Sequence, residues 1–324
     1  CNAWRHRINK THHNGQDSFQ IISIIPTYGE SVLLRHIRYL LAVADHGNFT
    51  RAAEALHVSQ PALSQQIKQL ESSMGVPLFD RSGRSIVPTD AGRVYLEHAR
   101  RSLRELEAGR RAVMDVSDLS RGELRLGVTP TFSEYLVAPL IDRFSARYPG
   151  VAISLTEMSL EQILDALARD LLDVAIGFTG EHGADIDAQP LFEEKLCLVT
   201  AGSALDPGQQ NKVLTLADLQ TLRFALLAPA FATRISVDAW CRKQRFTPNI
   251  ALEANSIAIL LKVIKQGRMV TILPDAIVRE QRDLYELRTR PVLPRRTAAL
   301  LRRKNGYRSV AADAFAQLVK GSQA

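Results

Sequence analysis

The first regular alternation of apolar and polar residues in the 324-residue chain begins at Leu34. An apolar residue then recurs every three or four positions, which predicts a helix with one apolar face. The positions are Leu34, Ile37, Leu41 and Ala44. Gly47 is predicted to end this helix, because glycine readily adopts the left-handed conformation found at helix ends.

Two further helices, separated by a tight turn, are predicted between residues 48 and 74. Asn48 or Thr50 can cap the first of them, whose small alanines permit close helix packing. Ser59 suits the N-cap of the second, and Pro61 suits its first turn, where no backbone N–H is needed.

The second of these helices has two chemically different faces. Leu63, Ile67 and Leu70 repeat at i, i+4 and i+7 and are predicted to face the core. The opposite face carries amides, a hydroxyl and a lysine, namely Gln60, Pro61, Ser64, Gln65 and Lys68. Such a face can enter the major groove of DNA and bond base edges. An ordinary helical hairpin with a solvated polar face would show the same pattern.

The stretch GVPLFDRSGRSIVPTDAG, residues 75–92, predicts a β-hairpin beside this helix. Its polar turn lies between apolar pairs, as in a hairpin wing. Arg81 and Arg84 lie on the wing, and guanidinium groups match phosphate oxygens. We therefore expect both arginines to contact DNA, with a solvated turn as the alternative.

A long helix, capped by Thr89, is predicted to extend to about Val116. Its apolar residues alternate by three and four, which predicts a short coiled-coil seam that pairs two subunits. The seam positions are Leu96, Ala99, Leu103, Leu106, Arg110 and Val113. The charged flanks of this helix are expected to be solvated and to form pairs along the helix.

From residue 122 onward, predicted strands alternate with predicted helices. The strands are 123–129, 151–157, 172–178, 196–200, 224–228, 250–254 and 269–274. This alternation predicts an α/β fold with a mainly parallel sheet, in which ligands bind beyond the carboxyl ends of the strands.

Hydroxyls, an amide and aromatic rings occur at several of these strand ends and helix starts. They are Thr129, Thr131, Phe132, Ser133, Ser159, Phe231, Thr233 and Asn255. Free amides and the helix dipole at such positions attract small anions. A helix cap is the simpler interpretation of each hydroxyl alone. Their convergence on one cleft would favour binding.

Charge adds a weak indication of a polyanionic partner. The formal charge is +7. Residues 33–111 carry 12 Lys and Arg against 8 Asp and Glu, whereas residues 112–324 carry 26 against 24. The basic excess is therefore denser around the predicted DNA-reading helices.

Other features exclude several classes of protein. The longest apolar runs fall far short of the ~20 residues that a membrane span needs. Three unpatterned cysteines indicate neither a disulfide framework nor a metal site, and a reducing cytoplasm fits best. Hydrolase, zinc-protease and phosphate-loop motifs do not occur, and the eight histidines are scattered. We expect no catalysis, no metal and no cofactor.

Residues 1–32 show no sustained periodicity and no secretory signal. The first methionine of the sequence is Met74. Two interpretations stay open, a disordered tail and translation that begins at Val32 from a non-ATG codon.

Residues 34–92 resemble the winged helix-turn-helix of LysR-type transcriptional regulators. The resemblance is carried by FTRAAEALHVSQPALSQQIKQLE, by MGVPLFDR and by TDAG. Gln65 departs from many relatives, which have arginine there. Further stretches, including VTPTF, ARYPG, EANSI and LLRRKN, are most similar to the branch of the family that regulates bacterial cyanate-utilisation operons.

The resemblance implies a cytoplasmic, DNA-binding homodimer or homotetramer with a sensor of periplasmic-binding-protein type. The implied regions are an extension (1–32), the winged helix-turn-helix (33–91), a dimerisation linker helix (92–121) and an effector-binding domain (122–324). Lobe I of that domain would comprise about 122–195 and 297–324, and lobe II about 196–296. The chain would then cross between the lobes twice and form a hinged cleft.

The implied partners are double-stranded promoter DNA and a small-molecule effector, cyanate or a similar anion. The eight residues at the strand ends fit the family's effector pocket. A regulator that responds to another small anion or to an aromatic acid is one alternative. A solute-binding or enzymatic α/β protein is another, although it leaves the helix-turn-helix unexplained.

Overall fold

The computed structural model describes residues 34–83, 85–114, 119–180, 182–204 and 212–321. These residues form two compact units that divide between Ala99 and Arg100. The predictions for residues 1–32 lie outside the described residues.

The first unit is a helix-turn-helix followed by a small hairpin. Its elements are α1 (Leu34–His46), α2 (Phe49–Ala55), α3 (Gln60–Met74), β1 (Phe79–Asp80), β2 (Val87–Pro88) and the start of α4 (Asp90–Met114). The three predicted helices and the antiparallel wing are therefore confirmed. Asn48 rather than Thr50 caps α2, because its Oδ1 accepts the N–H groups of Thr50 and Arg51 at 2.8 and 3.2 Å.

One apolar core holds this unit together. Leu63, Ile67 and Leu70 of α3 are buried as predicted. The predicted stripe of α1 is displaced, because Leu40 and Val43 are its fully buried residues and Leu34 is 39% exposed. Two sides of α1 are apolar, and periodicity alone did not identify the one that faces α3.

The predicted coiled-coil seam of α4 needs a correction. Leu96 and Ala99 are buried in the core of their own first unit, with 3% and 4% exposure. They are therefore not available to pair subunits. Leu106 and Val113 are exposed, at 56% and 88%. An amphipathic helix whose apolar residues serve its own domain shows the same spacing as a coiled coil.

The second unit alternates strands and helices after α4. Its helices are α5 (Pro130–Tyr135), α6 (Val137–Arg147), α7 (Leu160–Ala168), α8 (Leu216–Gln220), α9 (Ala232–Gln244), α10 (Ile257–Ile264), α11 (Asp275–Arg279) and α12 (Val310–Gly321). Its strands are β3 (Gly122–Val128), β4 (Val151–Glu157), β5 (Val174–Phe178), β6 (Ile186–Ala201), β7 (Val213–Thr215), β8 (Arg223–Leu227), β9 (Asn249–Ala254), β10 (Thr271–Pro274), β11 (Leu284–Arg290) and β12 (Arg295–Arg303).

Two lobes share the main sheet of this unit. Its described strands pair in the order β4-β3-β5-β12-β6-β11-β7, and β10 also pairs with β6. In lobe I, β3 runs parallel to both β4 and β5, as predicted. In lobe II, β8 runs parallel to β9 in a separate pair and β7 runs parallel to β11, whereas β10 and β11 run antiparallel to β6. The expected parallel pairing is therefore present in both lobes, beside antiparallel pairing to the crossing strands. The elements β7, α8, α11, β11 and β12 had not been predicted.

The chain crosses between the lobes on β6 and β12, which run antiparallel to each other. β12 also pairs with β5 and α12 packs into the core of lobe I, which confirms the predicted return of the chain to that lobe. β6 is 16 residues long, and only its residues 196–200 had been predicted as a strand. Its first half is mixed in polarity, so alternation does not reveal it.

An ion pair fastens the second half of α4 to lobe I. Nη2 of Arg111 lies 2.6 Å from the carboxylate of Asp170, whose side chain is 8% exposed. Arg303 at the end of β12 lies within 3.7 Å of the same carboxylate and 3.6 Å from that of Glu105. The flank of α4 that was expected to be solvated is thus partly a docking surface for lobe I.

Close packing inside the first unit gives a direct test of its structure. A Cβ atom on Gly92 of α4 would lie 1.9 Å from the backbone oxygen of Leu78. Gly92→Ala should therefore lower the free energy of unfolding by about 1–3 kcal/mol or more, since backbone must move. Gly109→Ala is the matched control, because no atom lies within 4 Å of its added Cβ. It should raise stability by about 0.5–1 kcal/mol. Thermal unfolding measures both, and equal melting temperatures would contradict this packing.

Candidate functional site

The predicted reading face of α3 is open to solvent. Gln60, Pro61, Gln65 and Lys68 are exposed, and Ser64 is half-buried. Ser59 caps the helix by accepting the N–H of Ala62 at 3.4 Å. These side chains are therefore presented together on the face opposite the core, as the sequence predicted.

The neighbouring amide is engaged inside the unit. Gln66 donates to Oε1 of Gln69 at 2.8 Å, and its own Oε1 lies 3.0 Å from Nε2 of His36 on α1. Gln66 thus helps to join α1 to α3, and Gln65 and Lys68 remain the amide and the cation at the centre of the exposed face.

The wing holds one of its two predicted contact residues in an internal interaction. Arg81 pairs with Glu71 at 2.6 Å, and its guanidinium lies 5.1 Å from the ring centre of Phe49. The side chain is still 30% exposed, so some of its N–H groups can face a phosphate. Arg84 lies outside the described residues.

A buried ion pair joins the lobes where the two crossing strands meet. Arg296 of β12 lies directly opposite Glu194 of β6, and its Nε donates to Oε2 of Glu194. Only 9% and 1% of these side chains are exposed. Glu194 also accepts the hydroxyl of Tyr135 at 2.7 Å, and Arg296 donates to Oγ1 of Thr233 at 2.8 Å.

This cluster draws on both lobes. Tyr135 on α5 and Phe178 on β5 belong to lobe I, and the guanidinium carbon of Arg296 lies 3.8 Å from the ring centre of Phe178. Thr233 is in the first turn of α9 in lobe II. One arginine therefore contacts groups from both sides of the cleft.

Burial changes the acid–base properties of the cluster. It lowers the pKa of Arg296 because the charged form is desolvated, and the carboxylate of Glu194 opposes that shift. It raises the pKa of Tyr135, and the adjacent Glu194 raises it further. Tyr135 is therefore a neutral hydrogen-bond donor at any physiological pH.

Two buried polar atoms, one at the strand crossing and one at the start of α5, have unused hydrogen-bonding capacity. Nη1 of Arg296 and Oγ1 of Thr129 have no hydrogen-bond partner within the described part of the chain. Thr129 follows the last residue of β3 and is the N-cap residue of α5. Buried groups of this kind are uncommon in proteins and point to a ligand, a water or an alternative arrangement.

The predicted effector residues of lobe I fall into two groups. Thr129 and Thr131 are buried at the start of α5, at 1% and 2% exposure, and Ser133 is half-buried beside them. Phe132, predicted to shield the effector, is instead a core residue. It is fully buried, and its ring stacks on Phe178 at 4.9 Å.

Ser159 is a helix cap. Its Oγ accepts the N–H of Gln162 at 3.3 Å, and the Gln162 side chain accepts the N–H of Ser159 at 2.9 Å. This reciprocal capping box engages the serine at the start of α7. Of the two interpretations of this hydroxyl, helix cap and anion-binding group, the helix cap describes Ser159 in the structure.

In lobe II, Thr233 is the predicted residue that reaches the buried cluster. Phe231 is half-buried and packs against the core of that lobe. Asn255 is exposed, and the next residue, Ser256, caps α10 by accepting the N–H of Ile259 at 3.3 Å. Asn255 is therefore not the residue that begins this helix.

Sequence reasoning missed the charged pair itself. Glu194 and Arg296 lie in the segments FEEKL and PRRTA, whose other charged residues are exposed or half-buried. No periodic signal separates a buried charge from its solvated neighbour, and only the strand pairing identifies these two as partners.

No described helix is long and apolar enough to cross a membrane. Within the same described residues, no group of three potential metal ligands comes together.

Comparison with known proteins assigns both units. Residues 34–93 match the bacterial regulatory helix-turn-helix of the lysR family, and residues 117–324 match the LysR substrate binding domain. The nitrogen assimilation regulatory protein nac of Escherichia coli is 34% identical over 76% of this chain and 79% of its own length. A hydrogen peroxide-inducible genes activator of Dickeya chrysanthemi is 30% identical over 83% of this chain and 89% of its own.

A solved structure shows the same architecture. The full-length regulator CbnR in complex with its target DNA superposes with a TM-score of 0.53 and 28% identity, over 90% of this chain and 100% of that chain. The winged helix-turn-helix, the two-lobed α/β sensor and the family matches over both lead to one conclusion: the chain belongs to the LysR family of DNA-binding, effector-responsive transcriptional regulators, which are not enzymes.

Proposed function

We propose that this regulator acts in the cytoplasm, controls a cyanate-utilisation operon and takes cyanate as its effector. The observation that carries the proposal is the buried junction of Arg296, Glu194 and Thr233 between the lobes, where Nη1 of Arg296 has no hydrogen-bond partner among the described residues. The resemblance of VTPTF, ARYPG, EANSI and LLRRKN to cyanate-operon regulators supports the choice of ligand.

A small linear anion needs donors that are already in place, because it offers too little surface to order a loop. Thr129 and Thr131 supply hydroxyls at the start of α5, and Arg296 supplies an N–H group. Glu194 already balances the charge of Arg296. The cleft would therefore select its ligand by hydrogen-bond geometry rather than by net positive charge.

A specific observation favours one alternative effector, an aromatic acid. Phe178, Phe132, Phe192 and Tyr135 form an aromatic cluster beside Arg296, with ring centres 4.9–6.2 Å apart. An aromatic ring of a ligand would find complementary contacts on Tyr135 and Phe192, the two half-buried members of this cluster. Thermal shifts with cyanate and with benzoate distinguish the two: a shift with benzoate alone would replace cyanate by an aromatic acid.

Peroxide sensing through either cysteine of the described residues is a poor fit, although one relative is a peroxide-inducible activator. Cys197 and Cys241 are buried, and burial raises their pKa to about 12 and about 11. A redox-sensing cysteine needs an accessible thiolate. The signal is therefore proposed to be a bound ligand.

Ligand binding would act by shifting the balance between two arrangements of the lobes. A ligand changes such a balance only by the difference between its affinities for the two states. α5 of lobe I and α11 of lobe II contact each other. Closure around an anion at the start of α5 would therefore be felt in both lobes.

The assembly that binds promoter DNA is proposed to be a homodimer, or a pair of dimers, held together through α4. A largely apolar groove of about 600 Å³ lies open beside the start of α4. It is lined by Met74, Val76, Leu78, Asp90, Ala91, Val94, Tyr95 and His98. The exposed Val94 in this groove replaces Leu96 and Ala99 as the centre of the proposed pairing surface. Leu106 and Val113 are exposed further along α4.

The reading face generates a first prediction. Gln65→Ala should relax discrimination at particular base pairs by about 1–3 kcal/mol, because an amide can bond one base bidentately. Arg84→Ala should instead lower the affinity for all DNA sequences nearly equally and reduce the salt dependence of binding. Band-shift titrations on a set of single-base operator variants measure both. An unchanged sequence preference in Gln65→Ala would remove that residue from base reading.

Assembly generates a second prediction. Val94→Asp should produce monomers, since it places a carboxylate in the apolar groove while the exposed position leaves the fold intact. Arg93→Asp puts the same group one residue away on α4 and should leave the dimer intact. Sedimentation of both variants decides the matter: a dimeric Val94→Asp protein would exclude this face.

The proposed effector site generates a third prediction. Thr131→Val removes a hydroxyl while it nearly preserves shape, so it should abolish the response to cyanate and leave promoter binding unchanged. Thr131→Ser keeps the hydroxyl and should retain the response. Calorimetry with sodium cyanate provides the measurement. Unchanged affinity in Thr131→Val would exclude this site, and no binding to wild type would exclude this ligand.

A further inference from the structure

One carboxylate ties the reading helix to the wing. Glu71 lies one turn before the end of α3, and 14% of its side chain is exposed. Its Oε1 accepts the backbone N–H groups of Leu78 and Phe79 at 2.9 and 3.1 Å. Its Oε2 accepts Nη2 of Arg81 at 2.6 Å. Hydrogen bonds to a charged group are about twice as strong as neutral ones.

The segment held by Glu71 leads directly into the wing. Leu78 and Phe79 are buried, and β1 begins at Phe79. Thr89, just beyond β2, holds the other side of this segment through its N–H to Leu78 at 3.0 Å and its hydroxyl to Pro77 at 2.8 Å. The base of the wing is therefore fixed from α3 through Glu71 and from the start of α4 through Thr89.

The charge of Glu71 has the wrong sign for a DNA contact. A carboxylate repels phosphate, and both of its oxygens are already occupied. Its effect on DNA binding must therefore be indirect. Reading a half-site requires α3 in the major groove while the wing contacts the adjacent backbone, so the distance between these two elements matters.

We propose that Glu71 is a positioning residue for DNA recognition, which sets the wing at the distance from α3 that an operator half-site requires. The proposal rests on the proposed contact of the wing with DNA and is independent of the effector. It predicts that removing a negative charge will weaken operator binding, whereas electrostatics alone predicts that it will strengthen binding to any DNA.

Glu71→Gln in the full-length protein distinguishes the two predictions, because positioning predicts weaker operator binding and electrostatics predicts stronger binding. Glutamine keeps one oxygen for the backbone N–H groups but turns an NH₂ group toward Arg81, so the Arg81 side of the wing is released while the backbone bonds and the core are kept. Glu54→Gln is the matched control, because Glu54 is exposed on α2 of the same unit and the change of charge is identical. Affinities for operator DNA and for unrelated DNA are measured in separate titrations. In each one, the protein concentration is corrected to the DNA-binding fraction, which a stoichiometric titration determines.

The expected result is a fall of about tenfold or more in the ratio of operator affinity to affinity for unrelated DNA for Glu71→Gln, equivalent to about 1.4 kcal/mol. Footprinting should lose protection at the positions next to the wing and keep it under α3. Glu54→Gln should strengthen both affinities and leave their ratio unchanged. The proposal is overturned if Glu71→Gln behaves like Glu54→Gln, or if it loses affinity equally for both DNAs, as partial unfolding would produce.

Discussion

The sensor of this regulator depends on one buried ion pair, Arg296 with Glu194, at the place where its two connecting strands lie side by side. Two charges taken out of water are costly unless each finds a close partner and further hydrogen bonds. Here the hydroxyl of Tyr135 donates a second hydrogen bond to the carboxylate of Glu194, and the hydroxyl of Thr233 accepts one from the guanidinium of Arg296. Because these partners come from both lobes, the charge pair is satisfied only in a particular arrangement of the lobes. A buried polar cluster of this kind favours one arrangement of the two lobes over others. Apolar contacts between the lobes depend less on exact geometry and would favour one arrangement less strongly.

Much of the fold could be predicted from the sequence where periodicity or local turn chemistry determines it. The buried stripe of Leu63, Ile67 and Leu70, the Ser59 cap and the return of residues 297–305 to lobe I were all identified correctly. Predictions were wrong where an element has more than one apolar face. Leu96 and Ala99 have coiled-coil spacing but complete the core of their own domain. Which of two apolar faces of a helix becomes buried depends on packing partners that are distant in sequence.

The candidate site was harder to predict, for a related reason. Residue types at strand ends indicated Thr129, Thr131 and Thr233, and these lie buried at the starts of α5 and α9. The same reasoning also chose Ser159 and Phe132, which serve as a helix cap and as core packing. Arg296 and Glu194 gave no signal, because a charged residue beside other charged residues is normally solvated. The decisive feature, a strand pairing between residues 102 positions apart, is not local.

The central claim is that Arg296 and Glu194 act as a coupled pair at the lobe junction, and a double-mutant cycle tests it most directly. Denaturant unfolding of Arg296→Met, Glu194→Met and the double variant can be followed by tryptophan fluorescence, to which the buried Trp240 of lobe II contributes, and by circular dichroism. Arg296→Met should cost about 3–5 kcal/mol, since it leaves a buried carboxylate without its countercharge. The double variant should recover most of that loss, because two apolar side chains leave no buried charge behind. Single variants that cost less than about 1 kcal/mol, or a double variant that simply adds the two losses, would contradict the account.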